Sequence, residues 1–346
     1  MASETLFSEI PPFPLDVPTA VLTTITLERL RSRDDEAEKD LLRACKEFGF
    51  FLLDLRGDDT GKVLIQEIDK LFAVCRETMN LPVDVKEAYE HDAPKSFLGF
   101  KPRGQSKTEK NEPDRYESFN IGQDGLIGNE TLQKLPPSIH SRLPSIRSYL
   151  GHCQEVAALV SSALATQLNL PRDTFTSLQS PTKLSGTNIR LLKAFASPEA
   201  EDIRTALMHH TDFGTITLLA NVVGGLQILQ PGKSPMEESA WVWARPQPGH
   251  LIVNIGDAMS QWTGGILRSG VHRVRHAPGH QRFVDKYSVV YLARPERNAS
   301  MKRLLKTDEA GGDEENDDLT AWEWEVKKAL SMARVGYVPR DKGVKG

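Results

Sequence analysis

Cysteine is scarce in this 346-residue chain: Cys45, Cys75 and Cys153 are odd in number and far apart. They lie in apolar stretches with helical spacing. They therefore read as buried thiols of a reducing compartment, not as a disulfide framework or a thiolate metal site. A basic surplus is also missing. Lys and Arg number 43 against 47 Asp and Glu, for a net charge of −4, so the electrostatic footprint of a nucleic-acid binder is absent and a small ligand is expected. No stretch approaches the roughly 20 apolar residues of a membrane helix. Between Met1 and Pro18 stand Glu4, Glu9, Asp16 and repeated prolines, with no basic segment leading into an apolar one, so no secretory signal is read and a cytoplasmic location is the expectation. No heptad pattern, internal repeat or exposed apolar stripe declares a partner, and a monomer is the starting assumption.

What is present is an ordinary globular composition, 39% hydrophobic and 26% charged, in a chain long enough to bury a core without staples. The first half reads as helical. Ala37, Leu41, Leu42, Cys45 and Phe48 recur at helical spacing before a short strand at Phe50 to Leu53. Ile65, Ile68, Leu71, Phe72 and Cys75 make a second stripe, and Ile146 to Leu164 a long amphipathic helix. The Gly-, Pro- and Lys-rich segment from Ala93 to Glu117 reads as a long loop. From about Leu184 the pattern changes to short β-rich runs at 187–195, 205–211, 215–220, 226–230, 241–245, 250–255, 270–275 and 286–293, which predict a sandwich or double-sheet barrel. Seven acidic residues between Asp308 and Asp318 read as a solvated loop. Thr320 and Glu323 then form a capping box for a last helix carrying Trp322, Val326 and Leu330.

The chemistry gathers around His210-Thr211-Asp212. Residues two apart on a strand share a face, so an imidazole and a carboxylate can reach one metal. A third ligand fits His272, in a run suited to a neighbouring strand. Two His and one carboxylate on one side of a metal leave the other positions open, an arrangement that suits iron(II) and O₂. The spacing is not specific by itself, since any H-x-D can arise by chance. Context supplies the specificity. The runs His209 to Leu219, Pro248 to Asp257 and Ser269 to Val274, together with Cys45 to Phe51, Glu117 to Gly122 and Arg294-Pro295, resemble in order and spacing the isopenicillin N synthase-like family of iron(II) and 2-oxoglutarate-dependent dioxygenases.

The resemblance implies a double-stranded β-helix (jelly roll) core over 184–300, with helices of the 1–183 region packed on its outer face and the 301–346 segment completing one structural unit. It implies metal ligands His210, Asp212 and His272, with His209 facing the other way. It also implies that 2-oxoglutarate and O₂ are consumed to give succinate and CO₂ while a small molecule, expected to be a secondary metabolite, is hydroxylated, desaturated or rearranged. The family's R-x-S pair for the 2-oxoglutarate 5-carboxylate falls on Lys286-Tyr287-Ser288. Lys286 and Ser288 share a face roughly 6.6 Å apart along a strand, but lysine lacks arginine's two-pronged contact. Arg282, roughly 13 Å upstream along an extended chain, ranks behind Lys286. Many relatives carry a tyrosine where Ala194 falls, which implies a wider pocket or a different co-substrate pose. Lys193 is expected to be exposed, Asp257 to cap a short helix ended by Gly264, Arg273 to be structural, and Trp241, Trp243 and Trp262 to pack. The loop from Ala93 to Glu117 and the helix near Trp322 are expected to cover the pocket. A 2-oxoglutarate-independent oxidase, a non-catalytic binding relative and a zinc hydrolase remain alternatives at this point.

Overall fold

The computed structural model describes residues 4–93, 96–106, 108, 112–197, 205–305 and 318–332. Among the described residues there are twelve strands: β1 (Thr24–Thr26), β2 (Phe50–Asp54), β3 (Gly99–Lys101), β4 (Tyr116–Gly122), β5 (Asn188–Ala194), β6 (Thr205–His210), β7 (Ile216–Asn221), β8 (Leu226–Leu229), β9 (Trp241–Trp243), β10 (His250–Ile255), β11 (His272–Arg275) and β12 (Lys286–Leu292). Eight of them form one sheet in the order β1-β2-β10-β7-β12-β5-β4-β3, and four form a second in the order β6-β11-β8-β9. Apart from the parallel β1–β2 pair, the strand pairings are antiparallel. The two sheets face each other as an open jelly roll, the expected core, and do not close into a barrel.

The eight strands expected after Leu184 all form, each within a few residues of its expected bounds. The Ala93 to Glu117 segment departs from expectation, because Gly99–Lys101 pairs with β4 at the edge of the large sheet. Buried ion pairs anchor this region: Lys101 Nζ lies 2.7 Å from Asp114 and Lys86 Nζ 2.6 Å from Glu117. Their short, mixed sequence context hides the strand from a periodicity reading.

Strand alternation divides the large sheet's two faces. Ile189, Leu191, Leu218, Ala220, Leu251, Val253, Val289 and Tyr291 point to one side and join the main core with the helices Asp59–Met79 and Leu143–Gln167. The intervening residues point to the small sheet, where Phe50, Leu52 and Ile252 meet Leu226 and Ile228, and Leu192 and Ala194 meet Ala206 and Val274. Each central strand is thus buried on both faces, which is why these runs read as nearly continuous apolar segments.

The helices start where the sequence places stops and caps. Asp34 Oδ1 accepts from Ala37 N at 2.9 Å, and Asp58 Oδ1 from Gly61 N at 2.9 Å. The capping box at the last helix, Ala321–Met332, also forms: Thr320 N donates to Glu323 Oε2 at 2.9 Å and Glu323 N to Thr320 Oγ1 at 3.3 Å. Most of the acidic run before it lies outside the described residues.

The short helix Asp257–Trp262 corrects one expectation. Its N-cap is Gly256, and Asp257 is already the first helical residue. A Cβ at Gly256 would come 2.2 Å from the Gly214 carbonyl oxygen and 3.1 Å from that of Asp212, so the two backbones need glycine to approach this closely. Gly256→Ala should destabilise the fold by about 1–3 kcal/mol, read as a lower urea midpoint at an unchanged slope.

Candidate active site

His210 ends β6 and His272 begins β11, and the two residues stand opposite each other in the antiparallel register of the small sheet. Their rings lie 4.3 Å apart between centroids. Asp212 corrects the strand picture. It sits on the turn after β6, and its carbonyl accepts the Asp257 N–H at 2.7 Å. Turn geometry, not strand alternation, therefore brings its carboxylate beside the imidazoles, with Oδ1 at 3.8 Å from His210 Nε2 and 4.0 Å from His272 Nε2. One ligand-type atom from each of the three residues lies within 4.8 Å of the others, a group able to hold a metal ion.

The surrounding hydrogen bonds orient these atoms. His210 Nδ1 donates to the Met208 carbonyl at 2.8 Å and His272 Nδ1 to the Gly270 carbonyl at 3.0 Å. That leaves both Nε2 lone pairs for a metal. Asp212 Oδ2 accepts from Thr217 Oγ1 at 2.7 Å and Asn254 Nδ2 at 2.8 Å, so Oδ1 is the oxygen left facing the imidazoles. Burial would raise the Asp212 pKa, but the two imidazoles and these hydrogen bonds outweigh it and hold the value at about 2. Burial, reinforced by His272, lowers His210 to about 4. Around neutrality the group thus offers a carboxylate and a neutral imidazole, the protonation states that metal binding requires.

Residues 22–138 match the N-terminal model of the non-haem dioxygenases, described for morphine synthesis, and residues 190–295 match the 2OG-Fe(II) oxygenase superfamily. A 2-oxoglutarate-dependent dioxygenase of Aspergillus fumigatus is 30% identical over 312 residues, covering 85% of this chain and 80% of the relative. The chain belongs to the 2OG-Fe(II) oxygenase superfamily. The 2-oxoglutarate-dependent dioxygenase frbH of Dothideomycetidae sp. is 30% identical over 291 residues, covering 83% of this chain and 86% of its own. The fold is shared with a Neurospora crassa protein crystallised with alpha-KG (TM-score 0.74, 20% identity, 93% of this chain and 99% of that one). It is shared also with a Caulobacter crescentus 2OG-Fe(II) oxygenase family protein (TM-score 0.73, 23% identity, 91% and 100%). Like its relatives, this oxygenase is an iron(II)- and 2-oxoglutarate-dependent dioxygenase.

In this oxygenase the cavity at the His210, Asp212 and His272 group lies between the two sheets. Leu192, Leu207, Leu219, Leu226, Val274 and Val290 make its walls apolar, and Arg190, Lys286, Ser288, Thr217 and Asn254 bring polar groups to it. Lys286 is 6% exposed, which excludes a solvated strand-start lysine, and its Nζ donates to the Val223 carbonyl at 2.7 Å. Burial lowers its pKa to about 7. Ser288, on the same face, is buried with its hydroxyl unpartnered. A buried ammonium and an orphaned buried hydroxyl on one wall fit a carboxylate-bearing ligand.

His209 turns toward Trp241, 6.2 Å between ring centroids. Arg273 Nε bonds Gln227 at 2.8 Å and its guanidinium pairs with Glu238, a structural role as expected. Trp262 is fully buried against Phe175. Arg282, ranked behind Lys286 on its distance along an extended chain, lies instead in a 3₁₀ turn (Gly279–Phe283) before β12 and is not among the cavity-lining residues described. Lys193 is mostly buried and bonds Asp285 at 3.0 Å and Asn80 at 2.8 Å, because its neighbours, not solvent, cover that side of β5. Ala194 pairs across the strands with Tyr116 and packs with it in one small cluster. Among the described residues, none between Ala93 and Glu117 and none of the last helix lines the cavity. Trp322 instead stacks under Arg297, 5.2 Å from its ring.

Sequence reasoning passed over Arg190, which lies within the quoted β5 run and lines the cavity. Its signal was available: an arginine among Ile189, Leu191 and Leu192, with the same strand parity as the inward Leu192. Thr217 and Asn254 also went unmarked, although both hold Asp212. Thr217→Val removes one of the two donors to Asp212 Oδ2 and should weaken iron(II) binding by about 10- to 100-fold, measured by anaerobic metal competition, with the fold retained by circular dichroism.

Proposed function

We propose that His210, Asp212 and His272 hold iron(II), and that Lys286 and Ser288 receive the distal carboxylate of 2-oxoglutarate, for oxidation of a small-molecule substrate by hydroxylation, desaturation or ring rearrangement. The observation that carries this reading is that the three ligand-type atoms and the buried Lys286–Ser288 pair line the same apolar cavity. Bound iron(II) with 2-oxoglutarate supplies the oxidising chemistry, releasing succinate and CO₂. The chain's own residues bind and orient. The Nδ1 hydrogen bonds fix both imidazoles, Thr217 and Asn254 fix the carboxylate, and the leucine and valine walls keep bulk water from the reacting centre. The curated relatives are fungal dioxygenases, which supports a secondary-metabolite substrate. We read the segments 1–183, 184–300 and 301–346 as parts of one unit, because residues of the first two share the main core and Glu325 of the last pairs with Arg294 at 2.5 Å. Among the described residues no helix is long and apolar enough to cross a membrane.

Anaerobic titration of the iron(II)-loaded protein with 2-oxoglutarate should produce the visible charge-transfer band of a chelated keto acid. His210→Ala should abolish it. Lys286→Ala should weaken 2-oxoglutarate binding by about 10- to 100-fold, the loss of a charge-assisted contact. Iron binding without a band in the wild type would instead favour an oxidase that does not use 2-oxoglutarate.

The depressed Lys286 pKa sets a pH dependence. Below about 7 the ammonium is charged in the free protein and meets the carboxylate directly. Above about 7 binding must take up a proton, so affinity falls as pH rises, approaching tenfold per pH unit. The same titration between pH 6 and 9 reads this as a rising dissociation constant, and Lys286→Arg should flatten the profile because arginine does not lose its proton in that range.

A further inference from the structure

Arg190 is a cation that the iron and 2-oxoglutarate assignments leave without a counter-charge. It projects from β5 between the cross-strand partners Asn120 and Val290. Its Nε donates to Asn120 Oδ1 at 2.9 Å. Asn120 is itself held by its Nδ2 donating to the Phe97 carbonyl at 2.6 Å, which aims its oxygen at the guanidinium. Arg190 makes no other hydrogen bond and no ion pair among the described residues. Its terminal nitrogens are therefore available on the wall of the metal cavity. Burial acts against its charge, and Asp212 and Tyr116 act on it only through space.

A count of charge in the cavity shows what is missing. Among the described residues, the titratable groups on its wall, besides the histidines, are Arg190, Lys286 and Asp212. With iron(II) bound, Arg190, Lys286 and the metal bring four positive charges, while Asp212 and the 2-oxoglutarate dianion bring three negative ones. A half-buried arginine on a largely apolar wall is held there at a desolvation cost that a paired, hydrogen-bonded anion would offset. Its planar fork suits a carboxylate, and the apolar part of the wall is leucine, valine and Phe50.

We propose that Arg190 is the anion receptor of the substrate subsite, and that this oxygenase acts on a small, mainly apolar monocarboxylic acid. This rests on the iron and 2-oxoglutarate assignment above. In this arrangement the substrate's carboxylate closes the two free guanidinium donors while its hydrocarbon part lies along Leu192 and Val290. Arg190 is then a specificity-determining residue, with Asn120 as its positioning partner.

The test uses the iron(II)·2-oxoglutarate protein without oxygen and two matched probe pairs, phenylacetate against phenylacetamide and octanoate against octanamide. Binding is followed by perturbation of the keto-acid band and by thermal protection. The acids should outbind their amides by on the order of tenfold to a hundredfold. Arg190→Gln should remove that preference while leaving amide binding and the 2-oxoglutarate titration unchanged, and Arg190→Lys, which keeps the charge in a folded chain, should retain part of it. Equal binding of acid and amide, or acid binding that survives Arg190→Gln, overturns the proposal. So does bleaching of the band by the acids, which would put their carboxylates on the metal, or loss of the band in Arg190→Gln, which would assign the arginine to 2-oxoglutarate. Arg190-dependent thermal protection by the acids in a wild type that gives no keto-acid band would sustain this proposal and sink the 2-oxoglutarate reading instead.

Discussion

An ionised carboxylate has to remain ionised inside an apolar cavity, and the architecture around Asp212 answers that requirement. Desolvation alone would act against its charge. Thr217 comes from β7 and Asn254 from β10, adjacent strands of the large sheet, and both donate to the same oxygen. The imidazoles come from β6 and β11 of the small sheet. Neither sheet alone completes the group, so the spacing between them is a chemical constraint as well as a packing one. Gly256 permits that spacing, because a side chain there would push the turn bearing Asp212 away from the helix that follows β10, and Gly214 lets the same turn lie against the Ala293 carbonyl after β12, which a Cβ would approach to 2.0 Å.

The same strands serve two interiors. One face of β5, β7, β10 and β12 meets the long helices and carries most of the hydrophobic stabilisation, while the other presents Arg190, Thr217, Asn254, Lys286 and Ser288 to the cavity. A one-residue slip in any of them would exchange a leucine or valine for a charged or hydroxylated side chain on the wrong side. Packing against the Asp59–Met79 and Leu143–Gln167 helices therefore fixes register, and register fixes which polar atoms reach the site. A site built on strands held this way is more precise than one carried on loops.

Much of this was legible because its signals are local. Short β-rich runs bounded by Gly and Pro gave the eight jelly-roll strands, and helical periodicity gave the three long helices of the first half. The failures share a cause, which is that they depend on partners distant in sequence. β3 is a three-residue edge strand that exists through its pairing with β4. Asp212 reaches the imidazoles from a turn whose shape depends on the backbone of residues 256 and 257, beyond the reach of a strand-parity argument. Lys193 looked exposed because Asn80 and Asp285, which cover it, lie far away in the chain. Arg190 was missed for a different reason: it lies inside an apolar run that declares only a strand, when its charge at inward parity was the more informative property.

The last helix, expected from the sequence to cover the pocket, is instead tied by charge to the helix that packs on the turn bearing Asp212. Lys328 reaches Asp257, whose carboxylate also accepts from Thr211 Oγ1 at 2.9 Å, and Thr211 stands between His210 and Asp212. Arg294, just after β12, holds the same helix through Glu325. Asp257 is only 8% exposed, so removing Lys328 would leave a buried carboxylate supported by one hydroxyl, and such a group destabilises whatever surrounds it. What surrounds it is the first turn of the Asp257–Trp262 helix, whose leading N–H fixes the Asp212 carbonyl. Docking of the C-terminal helix and the geometry of the H-x-D turn are thus linked through one carboxylate, and strain in either is felt by the other without any of these groups touching the cavity.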